Sequence, residues 1–358
     1  MLKNLKMKVI LTALVLMCSS LASAAPFGGA EMEIEGNQLQ KNLNQISNQD
    51  EKWNVWGNFY GGKVEQDFGM GTNKFFPSGV KSNYNGIQVG LDKKVGENFR
   101  VGGFVGYTDF DGEFKDNRGD MNSYSSYLGV YGVYQKSENG FYANGAARVG
   151  SMKHELDASI AARTNNTNIM VPIKDDDHST NWSLSLAAGQ RFFVKDKEKK
   201  KQGFYVEPQA SVLVGHVGGT EFETITVGLV PNRNAGVKAA MDGKNLGYLN
   251  LGTLIGYEVK KGKNPINIYG KVGLVYDFGD EQAIDGDLTF YNRSTGAPLA
   301  AGARGSVETE MSNHWWVFGM GVSTKVKDRH TLHFDIETTT GGDTDKNWQL
   351  SAGYKFAW

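Results

Sequence analysis

Trp348-Gln349-Leu350-Ser351-Ala352-Gly353-Tyr354-Lys355-Phe356-Ala357-Trp358 ends the chain, and its alternation decides how the rest is read. Trp348, Leu350, Ala352, Tyr354, Phe356 and Trp358 share one parity; Gln349, Ser351, Gly353, Lys355 and Ala357 share the other. Successive side chains of a strand point to opposite faces, so one face here suits hydrocarbon and the other suits water. The pattern repeats upstream. Ile266, Ile268, Gly270, Val272, Leu274, Tyr276 and Phe278 alternate with Asn267, Tyr269, Lys271, Gly273, Val275 and Asp277, and Phe204 to Val214 alternates in the same way.

Carried along the chain, this reading predicts twelve strands: 53–64, 83–95, 99–110, 122–136, 141–154, 180–195, 204–217, 246–260, 265–279, 310–327, 331–340 and 347–358. Turn-like connections follow the second, fourth, eighth and tenth. Long ones, 65–82, 157–179, 218–245 and 280–309 among them, alternate with these. An even strand count with short turns at one end and long loops at the other is the layout of an outer-membrane β-barrel. A soluble β-sandwich also has many alternating strands. Against it stand the aromatics gathered at strand ends, the polar or Gly character of the second face, and the aromatic C-terminus.

Composition agrees. The 358 residues include 46 Gly, 7 Pro and one Cys, with 11% aromatic side chains. That excludes a disulfide scaffold, a disordered charged chain and a polytopic helical membrane protein. Lys3, Lys6 and Lys8, the apolar run Val9 to Met17 and Ala22-Ser23-Ala24 read as a secretory signal peptide over 1–24, with cleavage expected after Ala24. Cys18 follows Met17, where a lipoprotein signal would carry a small side chain. Without the three signal lysines, 35 basic face 39 acidic groups, a net charge near −4 that argues against nucleic acid as a partner.

Trp53-Asn54-Val55-Trp56-Gly57, Tyr84 to Lys93, Phe99-Arg100-Val101-Gly102-Gly103, Gly106-Tyr107-Thr108, Ala147-Arg148-Val149-Gly150 and Phe204 to Ala210 together resemble the translocator domains of autotransporters. The resemblance runs from about Trp53 to Trp358. It implies a twelve-stranded antiparallel transmembrane barrel over 53–358, a helix threaded through its pore, and a passenger carried to the surface of a Gram-negative cell. It also implies outer-membrane lipid, the Sec translocon and the β-barrel assembly machinery as partners, a monomer, and Tyr354, Phe356 and Trp358 as the terminal assembly signal.

The segment 25–52 is expected to supply the threaded helix. Leu39, Leu43 and Ile46 fall at i, i+4 and i+7, with Gln38, Lys41, Asn42, Asn44 and Gln45 on the other face. Fifteen residues from Met32 to Ile46 make ~22 Å of helix at about 1.5 Å each, close to the ~25 Å apolar band of a barrel. A flexible periplasmic lead-in is the competing reading. Only Ala25 to Glu31 separates the expected cleavage from the helix, so at most a vestigial passenger is expected, and the Asn-Asn pair of self-cleaving relatives is absent from the helix.

Inward parity predicts lumen charges at Asp92, Arg100, Arg148, Arg191, Glu207, Lys271, Lys325, His333, Asp335 and Glu337. Both signs occur, so the charges are expected to pair and to hold the helix, or else to form a solvated pore wall. The small residues beside them, Gly90, Gly106, Gly273 and Gly319 among others, are expected to make room for an occupant. His154, His178, His216, His314, His330 and His333 do not join a nucleophile at the spacing of a known barrel enzyme, and His216 reads as an interfacial residue. The run Asp175-Asp176-Asp177 reads as a solvated loop. No catalytic, metal or cofactor site is therefore expected. An anchor or translocator, a stand-alone porin-like channel, and an enzyme or adhesin acting through the long loops are the functions to be separated.

Overall fold

The computed structural model describes residues 29–44 and 51–358, apart from 68–78, 116, 137–139, 165–166, 195–201, 231–232, 262–263, 282, 301–303, 309–313, 327–328 and 343. The expected signal peptide and Ile46 lie outside the described residues. Among the described residues one helix, α1 (Gly29–Asn44), precedes eighteen strands. Those of the wall are β1 (Trp53–Asp67), β2 (Gly79–Lys94), β3 (Phe99–Phe114), β4 (Gly119–Gln135), β5 (Phe141–Thr164), β6 (Thr167–Gln190) with its two-residue continuation β7 (Phe192–Phe193), β8 (Gly203–Val217), β11 (Lys244–Lys261), β12 (Asn264–Asp277), β16 (His314–Val326), β17 (His330–Thr340) and β18 (Thr344–Ala357). The others are β9 (Thr220–Val230), β10 (Arg233–Met241), β13 (Ala283–Asn292), β14 (Pro298–Ala300) and β15 (Arg304–Glu308).

Each wall strand pairs antiparallel with its neighbours, and β18 returns to β1. The seam runs in register from Asn54↔Ala357 to Gln66↔Thr344, with one irregularity at Lys63/Val64. It is pinned at its end by Trp53 N–H to Trp358 O (2.9 Å) and Trp358 N–H to Trp53 O (3.0 Å). The result is a closed barrel of twelve strands, with no edge for another chain to extend.

Parity sets the two faces. Outward positions stay exposed although apolar: Val130 is 64% exposed, Leu186 63% and Met320 65%. A continuous belt of this kind is stable in hydrocarbon and not in water. Trp348 and Trp358 bound it on β18, both facing out. Ten residues apart, they stand ~34 Å along the strand and ~26 Å along the axis of a barrel tilted about 40°, the height of an apolar membrane band. Short connections join Lys94 to Phe99, Gln135 to Phe141, Lys261 to Asn264 and Val326 to His330 at the Trp358 end.

The opposite end departs from the expected loops. The stretch 157–179 is largely strand: β5 and β6 stay in register from Phe141↔Gln190 to Thr164↔Thr167 and rise as a tall hairpin. Its alternation explains why. Leu156, Ala158, Val171 and Ile173 are buried on the inner side, while Asp157, Lys174 and Asp176 face out. Likewise 218–245 folds into the β9–β10 hairpin, and β13, β14 and β15 from 280–309 extend it into a second, smaller sheet in the order β14-β13-β10-β9, with β15 also on β13.

Candidate functional site

The lumen is filled by α1. The helix begins three residues before the expected Met32, and both its apolar and its polar side chains are buried. Met32 packs in a cluster with Leu213, Val217, Leu246, Tyr248 and Trp315. Ile34 joins Tyr60, Val64, Tyr84 and Phe110. Leu39 and Leu43 pack with Trp56, Phe104, Tyr127, Tyr131 and Val133 near the short turns. The chain therefore runs from the long-loop end at Gly29 to the short-turn end at Asn44, and each apolar residue meets an apolar patch of the wall at its own level.

Polar side chains of the helix meet the wall along the same length. Arg148 Nη1 lies 2.6 Å from Glu35 Oε2, and its guanidinium stacks over the Tyr127 ring with the centroid 4.5 Å away. Gln88 Nε2 donates to the Glu35 carbonyl (2.9 Å), Asn58 to Gln38 (3.2 Å), Gln40 to Ser185 (2.7 Å) and Asn144 to Asn44 (2.7 Å). Lys346 Nζ is 3.6 Å from Glu33, and Lys41 Nζ is 3.4 Å from Glu337. A buried ion pair adds little net stability over an apolar pair, but removing one partner strands a charge at a cost of roughly 3–5 kcal/mol. These pairs therefore fix the position and rotation of the helix more than they add to its stability.

Of the charges expected in the lumen, Arg148 and Glu337 meet the helix. Asp92 pairs with Arg100 and accepts from Tyr131, and Arg191 bridges Glu207 (2.6 Å) and Glu258 (2.8 Å), both within the wall. Lys271 reaches Glu337 (2.8 Å), and Asp335 accepts from Tyr269. Lys325 lines a cavity of about 210 Å3 beside the helix, together with Lys41, Arg191, Glu207 and Asp335. Tyr354 and Trp358 face outward at the short-turn end; Tyr354 shares a hydrogen bond with His330 (2.7 Å), and Phe356 stacks on Trp358.

Two features escape period-two counting. Glu35 lies three and seven residues before Gln38 and Asn42, which makes one polar ridge along the helix, and Glu33 lies four residues before Asn37, whose side chain donates to it on another face. Gly90 and Gly106 make room not for the helix, as expected above, but for aromatic rings of the wall, whereas a Cβ at Gly319 would meet Glu337 and one at Gly273 the Asn250 side chain. A Cβ at Gly90 would overlap the Trp56 ring, and one at Gly106 the Tyr127 ring. Room for the occupant comes from the helix itself, at Gly36, where a Cβ would overlap Leu213.

At the long-loop mouth, Val80, Phe114, Met121, Leu156, Val171 and Ile173 of the wall form one apolar cluster with Phe222, Ala235, Val237, Ala239 and Met241 of the second sheet. Beneath it His154 shares hydrogen bonds with Ser123 through Nδ1 (2.7 Å) and with Ser179 through Nε2 (3.1 Å). Burial holds the imidazole pKa down at about 4, against a smaller opposing pull from Asp177. The Asp run has a structural use: Asp175 and Asp177 accept the backbone N–H groups of Glu223 (2.8 Å) and Glu221 (2.7 Å), and Asp176 pairs with Lys153 (3.4 Å). His216 faces out and shares a hydrogen bond with Asn245 (3.0 Å).

The autotransporter beta-domain family model matches residues 55–337. A probable autotransporter of Escherichia coli, YcgV, is 26% identical over 334 residues, 90% of this chain and 30% of its own length. The pertactin autotransporter of Bordetella parapertussis is 24% identical over 328 residues, 90% of this chain and 31% of its own. The chain thus spans under a third of the length of these curated relatives. Among solved structures, the beta domain of the Bordetella autotransporter BrkA superposes with TM-score 0.58 at 17% identity, covering 86% of this chain and all of that one. The translocator domain of NalP from Neisseria meningitidis gives 0.58 at 11% identity over 92% and 96%. The chain is an outer-membrane barrel of a Gram-negative bacterium and belongs to the autotransporter beta-domain family.

Proposed function

We propose that this barrel is a translocator and membrane anchor whose lumen is held shut by its own N-terminal helix, rather than an open porin-like channel. Barrels of this kind carry short turns on the periplasmic side and long loops outside. The helix then has its N-terminus toward the cell surface and enters β1 from the periplasm, the direction a linker takes behind a chain passed outward. The observation that carries the reading is the ion pair of Arg148 with Glu35, deep in the lumen, backed by hydrogen bonds along the helix.

The remaining parts of the proposal follow from the sequence and the family. Residues 1–24 serve as a Sec-dependent signal removed after Ala24, and 25–52 form the lead-in and pore helix. The barrel over 53–358 is inserted as a monomer by the assembly machinery, which reads Tyr354, Phe356 and Trp358. Asp92, Arg191, Glu207, Lys271 and Asp335 brace the wall, while Arg148 and Glu337 hold the helix. The protein is not an enzyme. Among the described residues Ser123 and His154 come near a nucleophile and base, but the second nitrogen of His154 meets Ser179 where a hydrolase would place a carboxylate.

Conductance of the intact chain in planar lipid bilayers tests the reading. A plugged barrel passes little current. A steady large conductance from the intact, folded chain would favour the channel instead.

A further inference from the structure

We propose that the long loops build a second closure over the surface mouth, separate from the helix, so that solvent in the lumen is continuous with the periplasm alone. The proposal rests on the reading of α1 as a plug and extends it. Its root and the face it buries together run round most of the barrel. The second sheet leaves the barrel from β8, β11, β12 and β16, while the apolar face it buries belongs to β2 to β6. β6 adjoins β8, but β2 and β3, whose Val80 and Phe114 share the cluster with Phe222 and Val237, stand across the barrel from β11 and β12, so the cluster spans the mouth. Val80, Met121 and Ala158, which stand at the rim, are as buried as residues halfway down the lumen.

The crossing has a hinge and a latch. At the root, Gly218-Gly219 and Asp242-Gly243 bring two backbones so close that a Cβ at Gly219 would stand 2.6 Å from the Met241 carbonyl oxygen. Beside the root, β9 does not continue the ladder of β6. The two strands are held by side chains: Asp175 and Asp177 of β6 accept the N–H groups of Glu223 and Glu221, and the Thr224 hydroxyl of β9 accepts the N–H and donates to the C=O of Lys174. Side-chain latches of this kind open without dismantling the barrel, since no wall ladder is shared. Below, the cavity beside α1 is lined by Asn44, Gln135 and Gly140 at its periplasmic end, and an apolar collar of Met32, Leu213, Tyr248 and Trp315 lies above it.

Four folded chains in planar bilayers separate the two closures: intact, lacking 25–52, with 219–243 replaced by a short Gly-Ser turn, and with both changes. Current is expected only from the fourth. Full current from the chain lacking the helix alone would overturn the second closure and leave the plug standing. Current from the chain lacking the cap alone would overturn the plug and leave the cap standing. A closed double variant that still shows the mobility of a folded barrel would overturn the cap as the remaining barrier.

A second readout avoids large deletions. Ser123→Cys in whole cells, challenged with a membrane-impermeant maleimide, is expected to react slowly, and about tenfold or more faster when Asp175→Ala and Asp177→Ala remove the latch, as loss of hydrogen bonds to charged acceptors implies. Equal and rapid labelling in both would overturn the proposal.

Discussion

Gly106 shows how single residues set the width of this lumen. The Tyr127 ring lies across it, and Tyr127 in turn receives Gln88 Nε2 (2.8 Å) and carries the Arg148 guanidinium on its face. A methyl or larger group at Gly106 would drive the ring toward the helix and disturb the Arg148–Glu35 pair with it. Gly106→Val is therefore expected to destabilise the folded barrel by roughly 1–3 kcal/mol, the usual cost of overpacking, read as a lower urea midpoint. Gly270→Ala provides the control: the nearest atom to its added methyl is 3.8 Å away, and its midpoint should stay close to that of the unaltered chain. Parity made the inward charges legible. It could not show which would meet the helix, because Arg148 and Arg191 occupy equivalent positions by count and differ only in what stands opposite them.

At the scale of elements, the strands were the most legible part. Every predicted wall strand is present, and boundaries such as 99–110 against Phe99–Phe114 differ mainly by added residues at the long-loop ends. Those additions are where the reading stopped short. Charged outward residues such as Asp157, Asp176 and His178 look like loop in a scale tuned to membrane strands, although their inward neighbours keep the alternation. Trp182 faces out opposite Val149, so the charged rows beyond it stand clear of the membrane. His154 sits in this part of the hairpin, and its stability carries a pH dependence with a definite sign. Folding lowers its pKa from the ordinary 6.5 to about 4, so the unfolded hairpin binds the proton more readily. Stability from this group is complete above pH 6.5 and is lost as pH falls toward 4, by up to about 3 kcal/mol. Hydrogen exchange in 152–158 should accelerate between pH 7 and pH 4.5, and His154→Gln should flatten that dependence; an unchanged slope would show that the histidine is not the cause.

For the molecule as a whole, the wall and its contents are made by the same alternation. One parity gives the belt that lipid covers. The other gives a lumen too polar to collapse on itself, which is filled by a helix polar enough to satisfy it and apolar enough to pack at three levels. The sequence carried the existence of that helix through Leu39 and Leu43, but its direction and depth depend on long-range partners that no local pattern encodes: Glu35 with Arg148 and Gln40 with Ser185 lie more than a hundred residues apart.

The occupied lumen is the central claim, and a single cysteine pair tests it. Gln40 and Ser185 face each other at 2.7 Å, and both are buried. A glutamine side chain separates the two backbones by more than the roughly 5–6 Å that a disulfide spans between Cα atoms. The variant carrying Gln40→Cys and Ser185→Cys, expressed to the outer membrane, is therefore treated with a short bis-methanethiosulfonate linker and is expected to form one internal cross-link that raises the mobility of the unfolded chain in a gel and reverses on reduction. Two free thiols in a correctly folded barrel, open to labelling from the periplasm, would contradict the account.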